Sequence, residues 1–351
     1  MKQWKSIFLI LLFSNVANGQ EVSSSEVATS VTKEETSSYL GFYTAMVRDF
    51  KGELTDKSYF MKPESLRVTT QAFGLGYQWN ENWSAGLSSQ YIKNEITLRS
   101  AEIKQGPAII APSRVIEDST EGISDTLLSV RYRQPQNSQS SVTYSLGLSI
   151  PTGDYKKADS KGRYLSYSAQ LGSGTYDVTP EISYRGRFEQ WTITGRAFGK
   201  IRTGRNDLEY RLGDEIRLQG SVAYSVTRYL AFTVGGYYKN WREVVGSENI
   251  SQHNAGLSSS SSRSRPSGMR PTAGFHGSGG NPFAGYNMTG DAFAASGARW
   301  AAQMGVRSGI YLGPILKGVF ELGVPVAYEE IGELEGLKNE WYFLTALQSS
   351  F

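Results

Sequence analysis

The sequence predicts an all-β protein, a transmembrane antiparallel β-barrel of about twelve strands. Three observations lead there. From Tyr39 onward, apolar and polar residues alternate with period two, the spacing of a strand with one apolar and one polar face. The segments between these runs alternate between short and long. Composition is the third: 38 Gly, 21 Tyr, 15 Phe and 7 Trp accompany only 11 Pro, with a mean hydropathy of −0.37. No stretch past the N-terminus has the 18 consecutive apolar residues of a membrane-spanning helix, so a membrane crossing here requires strands.

The strands can be placed in order. Runs of alternation fall near 38–49, 64–79, 83–98, 122–134, 141–152, 169–188, 191–203, 216–226, 229–244, 297–311, 315–328 and 341–351. In "RLQGSVAYSVTRYLAFTVGGYYK", Leu218, Val222, Tyr224 and Val226 share one parity against Arg217, Gln219, Ser221 and Ala223. The chain turns at Thr227 and Arg228. It then alternates again, with Leu230, Phe232, Val234 and Tyr238 apolar. So short a link makes an antiparallel hairpin, because a parallel return needs a dozen residues or more. "SVTYSLGLSIP", "WTITGRAFGKIR" and "ILKGVFELGVPVAY" read the same way. Trp79 and Trp83 flank the Asn80 to Asn82 turn, where an interfacial aromatic girdle belongs. No window of 12 residues beyond the N-terminus carries a helical apolar stripe.

Short connections fall at 80–82, 135–140, 189–190, 227–228 and 312–314, and long polar ones at 50–63, 99–121, 153–168, 204–215, 245–296 and 329–340. Short periplasmic turns alternating with long external loops is the rule for outer-membrane barrels. A soluble sandwich has no reason to sort its loops by parity.

The N-terminus agrees with export. Lys2 and Lys5 precede an apolar run from Ile7 to Phe13 and small residues at Ala17 and Gly19, the layout of a secretory signal peptide over 1–19. Residues 20–37 are polar, rich in Ser, Thr and Glu, and read as a mobile segment ahead of a barrel over 38–351. The expected location is the outer membrane of a bacterial cell, with its lipid and lipopolysaccharide as surroundings. The segment 245–296 exceeds a plain connection. Its Ser/Arg and Gly/aromatic tracts favour a mobile external loop over a constriction folded into the barrel. Arg263, Arg265 and Arg270 in it are candidates for lipopolysaccharide phosphates.

Several chemistries are excluded. Without cysteine there is no disulfide framework, thiolate metal site or Cys nucleophile. A net charge of +3 is too small to imply nucleic acid. His253 and His276 are the two histidines; both fall in the long loop, with no carboxylate or serine placed beside them, and two histidines are too few for a structural zinc site. No catalytic, cofactor or metal constellation is expected, and the reading is not that of an enzyme. "FGLGYQW" is followed by no helix, so it does not cradle a phosphate.

If the apolar parity meets lipid, the other lines the interior. That parity carries Arg131, Arg133, Arg185, Arg187, Arg196, Lys200, Arg202, Arg217, Arg299, Arg307 and Lys317, against Asp125, Asp177, Glu181 and Glu321. Two readings stand side by side: a pore whose basic ladder draws in anionic or polar solutes, and a narrow barrel filled by paired charges.

Four phrases, "GISDTLLSVRYR", "LGLSIPTGDYKK", "LGSGTYDVTPEISY" and "YRLGDEIRLQGSVAYSVTRYLAFTVGGYY", occur in this order between 122 and 238. Together they resemble the outer-membrane family named for the meta-pathway of phenol degradation, whose members are labelled as transporters. Pro151, Thr152, Gly153 and Asp154, then Gly172, Ser173, Gly174 and Asp177, match its pattern, while Ser124 replaces the usual Gly before Asp125. The resemblance implies a barrel channel for hydrophobic or aromatic nutrients. Pro151 donates no hydrogen bond and so ends a ladder, and Gly153 suits a tight turn, which gives the motif an architectural sense as well.

The expected function is therefore an outer-membrane channel for passive uptake of small solutes. The alternative is a non-conducting surface barrel, an adhesin or anchor displaying 245–296. The last strand supports the barrel in either case: Trp341, Phe343, Leu347 and the terminal Phe351 fall on one parity, with Leu344 the exception on the other. A terminal aromatic on such a strand resembles the signal read by the barrel-assembly machinery.

Overall fold

A computed structural model describes residues 38–51, 61–100, 103–105, 108–158, 164–165, 167, 170–246, 297–311, 316–331 and 338–350. The expected signal peptide, the 20–37 segment, nearly all of the 245–296 loop with both histidines, and Phe351 lie outside the described residues.

Fifteen strands are present among the described residues: β1 (Ser38–Lys51), β2 (Met61–Gln78), β3 (Trp83–Ser100), β4 (Ile103–Gln105), β5 (Ala108–Ala111), β6 (Val115–Ile123), β7 (Thr126–Pro135), β8 (Ser140–Ile150), β9 (Tyr176–Phe188), β10 (Trp191–Thr203), β11 (Glu215–Ser225), β12 (Leu230–Trp241), β13 (Gly297–Tyr311), β14 (Leu316–Ile331) and β15 (Lys338–Ser350). They close into a barrel. Every adjacent pair is antiparallel, and β1 pairs with β15 along its length, Leu40 opposite Ser350 and Val47 opposite Phe343. β6 and β7 together form one wall strand: β3 pairs with β7 at residues 83–88 and with β6 at 91–99. The wall thus has twelve strands, and β4 with β5 makes a small external hairpin. Closure satisfies every ladder and leaves no open edge in the bilayer, the condition a sheet must meet to cross it.

Each of the twelve expected strands is found, with shifts that have local causes. The expected strand 169–188 begins only at Tyr176, because Gly174 at φ 71° turns the preceding segment back toward Asp125. The expected strand 122–134 is broken at Ser124 and Asp125 and extends outward to Val115, through what the sequence suggested was loop. At the break, the Ser124 backbone N–H still bonds to the Gln90 carbonyl at 2.7 Å, so wall continuity survives.

Alternation is written in the burial. On β11, Leu218, Val222 and Tyr224 are exposed while Arg217, Ser221 and Ala223 are buried, and β12 repeats this with Phe232 and Val234 outside and Thr233 and Lys239 inside. The short-turn end carries a belt of rings. Tyr39, Tyr77, Trp79, Trp83, Tyr132 and Tyr144 follow one another at centroid distances of 4.9 to 6.4 Å across five wall strands and a turn. Trp191 and Tyr224 stand 4.7 Å apart at the same end. Amphipathic rings settle at the interface between hydrocarbon and headgroups, so this belt fixes the barrel's depth in the bilayer. The hairpin between β11 and β12 is closed by Thr227, whose Oγ1 accepts from the Tyr229 and Leu230 backbone N–H groups, both at 3.1 Å.

Candidate functional site

The barrel interior is the site, and the strand period places its residues. Arg131 and Arg133 on β7, Arg185 and Arg187 on β9, Arg196, Lys200 and Arg202 on β10, Arg217 on β11, and Arg299 and Arg307 on β13 all stand on the inward parity. So do Asp177 and Glu181 on β9 and Glu321 on β14, and Asp125 sits at the break between β6 and β7. Lys317 is placed by register opposite Gln348. Among the described residues, eight Lys and Arg are buried against five Asp and Glu, so the interior is basic on balance.

These charges form separate groups. Asp177 is wholly buried, pairs with Arg202 and accepts from the Thr175 hydroxyl at 2.8 Å. Glu181 meets Arg196 at 2.6 Å. Glu215 bridges Lys239 at 2.9 Å and Arg217 at 3.0 Å. Glu321 takes the Arg307 guanidinium at 2.5 and 2.8 Å and the Tyr342 hydroxyl at 2.9 Å, while Gln303 reaches that hydroxyl at 3.3 Å. Arg299, fully buried, lies between the faces of Trp241 and Tyr328, 5.9 and 5.3 Å from their centroids. Each buried carboxylate named here has a cation or several N–H and O–H donors, as burial of charge demands.

A second group organises the external mouth. Asp125 accepts from the Gly153 N–H at 2.9 Å, the Ser173 N–H at 2.8 Å and the Ser173 hydroxyl at 2.8 Å. Thr152 donates to the Ser124 carbonyl at 3.1 Å, and the Asn206 amide to the Ser173 carbonyl at 3.0 Å. Gly172 lies so close to Gly153 that a Cβ would fall 2.5 Å from the Gly153 carbonyl oxygen. Three loops converge there. Tyr210, Leu212 and Val244 form a buried cluster with Tyr164, Tyr167 and Leu208 against it, and burial pushes the Tyr210 phenol above its ordinary range. On the outer surface Asp207 takes the Lys156 ammonium and the Tyr155 hydroxyl, both at 2.9 Å. Those hydrogen bonds hold the Asp207 carboxyl below its usual range and raise Lys156.

Some residues of the interior escaped the sequence reading. Arg48, Glu215 and Gln303 belong to it and were not singled out. Glu215 lay one residue before the expected strand. Leu344, the apparent exception on β15, points inward and joins Phe42, Met46, Ala72, Val319 and Ala346 in an apolar cluster with at most 9% exposure. On β1 both parities are apolar, Tyr39, Tyr43 and Val47 outward and Leu40, Phe42 and Met46 inward, so alternation could not mark its inner face.

A closed antiparallel wall with aromatic and aliphatic side chains outside, a ring belt at the short-turn end and charge within defines a bacterial outer-membrane β-barrel. The chain belongs to the family described as "Putative MetA-pathway of phenol degradation", whose model matches residues 55–289. Among solved structures, an outer membrane channel from Pseudomonas putida F1 is 11% identical, with 91% of this chain and 97% of that one covered at a TM-score of 0.52. That likeness concerns the fold. The KdgM porin in complex with oligogalacturonate (8% identity, 89% and 99% covered, TM-score 0.37) and the β domain of a Bordetella autotransporter (9% identity, 90% and 100% covered, TM-score 0.41) are more distant. No curated protein sequence matches the chain.

Proposed function

We propose that the protein is an outer-membrane channel for passive uptake of small solutes, with the family pointing to hydrophobic or aromatic compounds. One observation carries this reading: the charged and polar parity faces inward on every strand from β7 to β13, where an inert anchor has no need of ion-binding groups. A second reading also has its observation. The interior acids are each engaged, which suits a filled, non-conducting barrel that displays its external loops. Liposome swelling separates the two: the channel admits small neutral, anionic and aromatic solutes at rates that fall with size, whereas the filled barrel leaves vesicles as tight as protein-free ones.

Assembly follows the same logic. Phe343 and Leu347 are exposed on the outward parity of β15 with Trp341 beside them, and we read this strand, with Phe351, as the segment engaged by the barrel-assembly machinery. Lipopolysaccharide at the outer rim is the corresponding lipid partner.

A further inference from the structure

The interior has two unlike sides. β15, β1 and β2 contribute the apolar cluster of Phe42, Met46, Ala72 and Leu344, and Val68 and Leu66 continue it along β2. Lipid cannot explain these residues, because their parity faces away from it. In the ring of wall strands β10 is the sixth from β1 in either direction, hence diametrically opposite. Its inward face carries Arg196, Lys200 and Arg202, with Arg217 beside them on β11. Met46 lies seven residues along β1 from Tyr39 and Arg196 five residues along β10 from Trp191, so both stand near the middle of their strands.

We infer that the cargo is an amphipathic organic monoanion, a small carboxylate carrying an aromatic or aliphatic body. This deepens the channel reading and rests on it. The hydrocarbon body loses water against the β15, β1 and β2 side, while the carboxylate meets the β10 and β11 cations. A neutral aromatic gains only the first contact and a small hydrophilic anion only the second. The resident pairs assist rather than oppose this. Arg196, Arg202 and Arg217 are held in place by the carboxylates of Glu181, Asp177 and Glu215, so the cations that an incoming carboxylate meets are already oriented and are kept charged by their resident partners.

The test uses the full-length protein, purified, folded and reconstituted in liposomes, with fluxes of benzoate, acetate, benzyl alcohol and benzylammonium measured side by side. One charge-assisted contact corresponds to roughly tenfold, so benzoate is expected to pass about tenfold faster than benzylammonium and faster than acetate of equal charge, relative to protein-free vesicles. Lys200→Met should lower the benzoate rate more than the benzyl alcohol rate, and Met46→Gln should lower benzoate relative to acetate. Potassium chloride conductance without this order among the four solutes overturns the inference and leaves the channel standing. Absence of conductance and of every flux overturns the channel reading itself. Should either variant fail to fold, the wild-type order of the four solutes decides alone.

Discussion

Replacing Asp125 by Ala tests whether the motif shared with the family is architectural. The carboxylate accepts three hydrogen bonds, two of them from the buried backbone N–H groups of Gly153 and Ser173. Truncation leaves both N–H groups without an acceptor, and each such group costs about 1 to 3 kcal/mol, so the loop junction loses about 2 to 6 kcal/mol. At the lower limit the opening equilibrium of this junction rises roughly 30-fold. Amide hydrogen exchange in reconstituted protein reads the effect directly: Gly153 and Ser173 should exchange at least about 30-fold faster, while the β11 to β13 ladder keeps its protection. Asp125→Asn, which preserves shape but turns one acceptor into a donor, should fall between. Unchanged exchange at both amides would refute the assignment, and uniform acceleration across the barrel would show that Asp125 supports the whole wall instead.

Further outcomes follow from the same geometry. Glu321→Leu, which strands the buried Arg307 guanidinium, should lower barrel stability by about 3 to 5 kcal/mol in urea titration, and the double variant with Arg307→Leu should recover most of it. Trp83→Ala breaks the belt between Trp79 and Tyr132 and should cost about 1 to 2 kcal/mol in the same titration, with little change in transport. The Lys156 to Asp207 contact is set by two shifted groups. The lowered Asp207 contributes above its unfolded pKa and loses its contribution as pH falls through the folded value; the raised Lys156 contributes below its unfolded pKa and fails as pH rises through the folded one. Tryptic cleavage after Lys156 should therefore be slowest between about pH 4 and pH 10, and a flat profile after correction for protease activity would remove the contact from the account.

The wall was legible because lipid and lumen impose opposite polarity on alternate residues. β11 was readable to within one residue, and β12 with the turn at Thr227 and Arg228 to within three, for that reason. Where both faces are apolar, as on β1, or where the chain leaves the ladder by side-chain hydrogen bonds, as at Ser124 and Asp125, the period carries no signal. The inward charges of β7, β9 and β10 followed from parity alone. Their grouping did not, since the Glu215 to Lys239 and Glu321 to Tyr342 contacts depend on which strands become neighbours and in what register. The apolar side built from Phe42, Met46 and Leu344 was hidden for the same reason: it brings together both ends of the chain.

The central claim is conduction. Single-protein recordings in planar bilayers, made with full-length protein whose heat-modifiable electrophoretic mobility shows that it has folded, test it most directly. Discrete, reproducible conductance steps that appear only with the folded protein are the predicted result. A folded barrel that inserts and produces no steps in any electrolyte would contradict the account and leave the filled, displaying barrel in its place.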